Sequence, residues 1–148
     1  MESGGGDGAL SASEADGGPK GANCPPHSRK DPESKQIGEE ELASRIVNNE
    51  IGIIFPEGTR KNVYEEHRDK LQLPFKFGTV AMAQKTGAPI LPISLHHGEK
   101  GSYVRIGELF FVRKEDNLEL ANARLEQTIK EMTLKSMEED SKKREKVR

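Results

Sequence analysis

Tryptophan is absent from the 148 residues, aromatic side chains make up 5% of them, and there is a single cysteine, Cys24. One cysteine excludes a disulfide framework or a cysteine-based metal cluster within the chain, and fits a reducing, cytoplasmic setting. No run approaches the roughly 18 apolar residues of a membrane-spanning helix, and the first residues lack the basic-then-apolar pattern of a signal peptide. A strong excess of either charge is also missing: the formal net charge is -2 and the pI about 6.1. Such a balance offers no global field for nucleic acid, so no nucleic-acid partner is expected and any anion site must be local. No Walker loop or dinucleotide fingerprint occurs, and no cofactor is expected.

Hydrophobic and charged residues each account for 32%, and the mean hydropathy is -0.77. The length suits one domain, but this average is more polar than a fully packed one. The polar excess is concentrated at the two ends. Seven of the fifteen glycines fall in the first 22 residues, among Ser, Ala, Asp and Glu. A stretch so poor in large apolar side chains cannot offset its ordering entropy, so residues 1–27 read as a disordered tail. From Glu138 the chain is almost wholly Glu, Asp, Lys and Arg, and residues 138–148 read as a fraying, solvated end.

Between them the pattern is α/β. Asp31-Pro32-Glu33 is a helix start: a capping carboxylate, proline at the first position and acid at the positive end of the dipole. A helix is predicted from Pro32 to about Asn49, with Ile37, Leu42, Ile46 and Val47 as its apolar stripe. Ile51 to Phe55 is a nearly continuous apolar run and predicts a central parallel strand. Phe75 to Thr86 predicts a helix with Val80, Met82 and Ala83 inward and Gly87 at a left-handed exit. Pro89 to Leu95 predicts a second strand, and Tyr103 to Phe111 a third at the edge, kinked near Gly107. Leu118, Ala121, Leu125, Ile129 and Met132 recur at helical spacing and predict a long closing helix. The fold expected is an open, mostly parallel sheet with flanking helices.

Phe55-Pro56-Glu57-Gly58-Thr59-Arg60 follows the first predicted strand, where open α/β sheets place their ligand crevices. Gly58 admits close approach of backbone to a ligand, Thr59 adds a hydroxyl, and Arg60 can grip an oxyanion with two donors. Glu57 can orient an arginine or a ligand hydroxyl. The plain alternative is a polar turn in which Arg60 pairs with Glu57.

Three motifs in order decide between them. Phe-Pro-Glu-Gly-Thr-Arg, then Phe75-Lys76-Phe77-Gly78, then Gly87-Ala88-Pro89-Ile90-Leu91-Pro92 resemble the second half of the glycerolipid acyltransferases typified by 1-acyl-sn-glycerol-3-phosphate acyltransferase. The resemblance implies a partial acyltransferase domain over residues 28–137. It also implies transfer of a fatty acyl group from acyl-CoA or acyl carrier protein to a lysophosphatidate-type acceptor, in phospholipid biosynthesis. It makes Glu57, Gly58, Thr59 and Arg60 the binders of the acceptor's phosphate, with Arg29 and Lys76 as further candidates and Pro89 and Pro92 shaping the pocket.

The family's catalytic pair is a histidine followed, after four residues, by an aspartate, the histidine acting as base on the acceptor hydroxyl. Five residues after His27, His67, His96 and His97 stand Pro32, Gln72, Gly101 and Ser102. The expectation is a retained phosphate site without the catalytic pair, and a chain inactive alone. The alternative is a non-catalytic phosphate-lipid binding or interaction fragment. The sheet edge left open by the missing half would favour self-association or a partner strand. His96-His97 reads as a polar loop rather than a ligand pair, and His67 as part of a solvated charged loop. Phe110, Phe111 and Val112 beside Arg113 and Lys114 suggest either core packing with a charged rim or peripheral contact with a membrane.

Overall fold

A computed structural model describes residues 31–58, 65–67 and 69–146. The expected tail at 1–27 lies outside the described residues. Helix α1 spans Pro32–Val47 and starts as its sequence predicts: the Asp31 carboxylate accepts from the amides of Glu33 and Ser34, both at 3.2 Å. Only part of its apolar stripe is used. Leu42 and Ile46 face Gly52, whereas Ile37 and Val47 are 54% and 64% exposed.

The predicted central strand does not form. Residues 51–55 have no assigned secondary structure, and Ile51, Ile53 and Phe55 are 94%, 80% and 83% exposed. An apolar run becomes a strand only where another strand takes up its backbone groups. Nor do the described residues show an open, mostly parallel sheet. Among them the sheet is one antiparallel pair, β1 (Ile93–His97) with β2 (Ser102–Ile106), in the register Ile93 to Ile106 through His97 to Ser102. Strands separated by a four-residue turn pair antiparallel, with little loop-closure entropy to overcome. The pairing resumes beyond the named strands at Ile90 and Phe110, whose amides and carbonyls exchange hydrogen bonds of 2.8 Å. Three steps along one chain then face four along the other, a bulge at Gly107, whose amide donates to Pro92 O at 2.9 Å. The kink expected near Gly107 is this bulge.

Helix α2, Gly78–Thr86, ends on Gly87 at φ 72° and buries Val80, Met82 and Ala83, as predicted. It begins three residues later than expected because the backbone of Phe75 is engaged elsewhere. Helix α3, Leu118–Glu145, closes the unit. Leu125, at 1% exposure, centres a core of Phe75, Val80, Ala83, Val112 and Ala121, with Ile90, Phe110, Leu118 and Ile129 packed against it. Core packing is therefore the role of Phe110 and Val112, while Phe111 points outward at 62% exposure.

The charged end does not fray at Glu138. Helix α3 continues to Glu145 because Asp140, 1% exposed, accepts from the amides of Glu99 and Lys100 at 3.1 and 2.9 Å and from the Tyr103 hydroxyl at 3.0 Å. Gly98, in the same turn, leaves no room for a side chain against that carboxylate. Burial first, and then the Asp140 hydrogen bond, hold the Tyr103 phenol above its ordinary pKa. Among the described residues no helix is long and apolar enough to cross a membrane.

Candidate anion-binding site

The turn Pro56-Glu57-Gly58 is built by its own backbone and by a distant segment. Gly58 N donates to Phe55 O at 3.0 Å, and Gly58 adopts φ 67°, a left-handed conformation that glycine accepts without strain. Two hydrogen bonds then tie the turn to residues 73–76: Leu73 N to Glu57 Oε2 and Lys76 N to Pro56 O, both 2.9 Å.

That second segment is held in turn by α3. Phe75 N donates to Glu126 Oε2 and Asn122 Nδ2 donates to Phe75 O, both at 2.9 Å, while Gln72 Nε2 donates to Glu126 O at 3.0 Å. Leu73 and Phe75 are buried on either side of exposed Pro74, so the strip cannot slide without withdrawing core side chains. Among the described residues its backbone has no sheet partner, and side chains of α3 take the place of one.

The consequence is the position of Lys76. Its side chain lies across Gly58: a methyl group added there would stand 2.9 Å from Lys76 Cδ and 3.0 Å from Cε and Nζ. Lys76 is exposed and makes no ion pair among the described residues. It immediately precedes α2, whose first residues have no side-chain cap and whose Thr79 hydroxyl is buried with no partner among the described residues. An ammonium lying across a turn with a glycine-opened backbone, next to the positive end of a helix, is an arrangement that attracts an oxyanion.

Of the residues singled out from the sequence, Glu57, Gly58 and Lys76 are brought together. Thr59, Arg60 and Arg29 lie outside the described residues. One Glu57 oxygen accepts from the Leu73 amide, so this side chain braces the turn. Pro92 is fully buried and its carbonyl anchors the bulge, whereas Pro89 is exposed. Asn122 and Glu126 were not anticipated. The only signal for them is that each adjoins a core position, Ala121 and Leu125, on the buried side of α3.

His96 and His97 end β1 rather than lying in a polar loop, and both serve local structure. His96 stacks on Tyr103 with ring centroids 6.1 Å apart, and His97 Nδ1 lies 2.7 Å from Ser102 Oγ. Among the described residues no group of three or more His, Cys, Asp or Glu could hold a metal ion.

The family model described as Acyltransferase matches residues 20–96, more than half of the chain. No curated protein and no solved structure matches it. The matched stretch contains the Glu57-Gly58 turn and Lys76 and ends within β1; α3, with Asn122 and Glu126, lies beyond it. The order of motifs, the braced turn and the matched span lead to one assignment: the chain belongs to the acyltransferase family.

Proposed function

We propose that the chain supplies the acceptor side of a glycerolipid acyltransferase, holding the phosphate of a lysophosphatidate-type lipid at the Glu57-Gly58-Thr59-Arg60 turn with Lys76 alongside. The observation that carries this reading is the cross-linking of the turn to residues 73–76, which sets the Lys76 side chain over Gly58. A charge whose backbone is anchored in this way loses less freedom on binding than one on an unanchored segment. Arg60 adds two-pronged recognition of the same phosphate, and Arg29 is a further cation for it.

In the complete reaction the acceptor hydroxyl attacks the thioester carbonyl of acyl-CoA or acyl carrier protein, a base removes the hydroxyl proton, and the thiol departs. No histidine in this sequence has an aspartate five residues on. The chain alone therefore binds acceptor without transferring acyl groups. The test is acyl transfer from radiolabelled acyl-CoA to lysophosphatidate by the purified chain, with an intact family enzyme as control. Background-level product is expected, and transfer abolished by Arg60→Ala would refute the reading.

A second reading, a phosphate-lipid binding or interaction module completed by a partner strand, is favoured by the exposure of Ile51, Ile53 and Phe55. A stoichiometric partner co-purifying with the chain and lost on Ile53→Lys supports it; the unaccompanied chain after mild purification argues against it.

A further inference from the structure

The β1–β2 ribbon is patterned against expectation. Its inner side, covered by α3, is largely polar. Ser94 Oγ lies 2.7 Å from Thr133 Oγ1, and Arg105 donates to Ser136 Oγ at 2.9 Å and pairs with Glu139 at 2.8 Å. The outer side is apolar and open. Leu91, Ile93 and Leu95 on one chain and Val104 and Ile106 on the other are 47–67% exposed, with Leu109 and Phe111 extending the strip past the bulge. Ile93 is paired with Ile106 and Leu95 with Val104, so these side chains form adjoining cross-strand pairs rather than scattered contacts.

Roughly half of each of seven large side chains, on the order of 100 Å² apiece, gives a patch of about 700 Å². That exceeds what a lone soluble protein ordinarily exposes in one piece. It also approaches the roughly 800 Å² per partner of a standard protein interface. Among the described residues the paired part of the strip carries no lysine or arginine, since Arg105 is turned toward α3 and the exposed Arg113 and Lys114 lie beyond its Phe111 end; the cross-strand pairs themselves thus lack the cations with which an interfacial surface engages anionic lipid. An uncharged face also meets its own copy without like-charge repulsion, as a two-fold contact requires.

We infer that the outer face of the β1–β2 ribbon is a self-association surface, on which a second copy of this chain packs ribbon against ribbon about a two-fold axis, as layers about 10 Å apart. This surface is built from other residues than 51–55 and does not depend on the phosphate reading.

Sedimentation velocity on the full chain, from low micromolar to sub-millimolar concentration, tests it. A reversible dimer is expected, with dissociation raised roughly 100-fold by Ile106→Lys. Leu95→Ser on the opposite strand provides an independent variant should Ile106→Lys fail to fold. Far-UV circular dichroism is expected to be unchanged, because both positions already face solvent. A chain monomeric throughout this range overturns the inference, as does a dimer indifferent to the folded variants. Flotation with vesicles of anionic phospholipid, abolished by the same substitutions in a monomeric chain, would assign the face to a membrane instead.

Discussion

Gly58 combines a left-handed φ of 67° with the Lys76 side chain where its own would be. Gly58→Ala therefore carries about 1 kcal/mol of backbone strain and must also displace Lys76. Urea unfolding is expected to register the first effect, and weaker anion binding the second. Glu57 separates bracing from charge: Glu57→Gln keeps an oxygen for the Leu73 amide, whereas Glu57→Ala leaves that donor without it, at about 1–2 kcal/mol. Equal unfolding midpoints for the two variants would contradict this role. The motif around Gly58 was legible because glycine, arginine and glutamate each have few uses in such a turn. The bond from Glu57 to Leu73 spans 16 residues, and no local pattern encodes it.

Among the elements, α3 acts as the scaffold. Asn122→Ala and Glu126→Ala each free one backbone group of Phe75 from its side-chain partner, and each is expected to cost on the order of 2 kcal/mol in urea unfolding. Asp140→Ala strips the partner from three donors of the hairpin and is expected to cost on the order of 3 kcal/mol. The raised pKa of Tyr103 has a defined sign: its contribution is complete below about pH 10 and is lost as pH rises from there through the folded value. Stability followed from about pH 8 to pH 11 should fall less steeply in Tyr103→Phe than in the parent chain. Hydropathy located α3 through Leu118, Leu125 and Ile129 but lost it at Glu138, because the buried stripe continues through Ser136 and Asp140. Ile51 to Phe55 shows the opposite limit. Its apolar run was plain in the sequence, but pairing depends on chain elsewhere, and β1 pairs with its immediate neighbour β2 instead.

At the scale of the whole molecule, the described residues form a small helical scaffold around one hairpin, with apolar surface at residues 51–55 and on the outer ribbon face. The resemblance carried by three motifs identified the family, which the match over residues 20–96 establishes. The same motifs did not specify the sheet, since sheet topology depends on which segments are present to pair. On the function proposed above, the braced turn and Lys76 hold a phosphate. The most direct test is a calorimetric titration of the chain with a short-chain lysophosphatidate below its micelle threshold, beside Lys76→Ala and Arg60→Ala. Saturable binding, weakened about tenfold or more in each variant, is the predicted result. No saturable binding, or binding that neither substitution alters, would contradict the account.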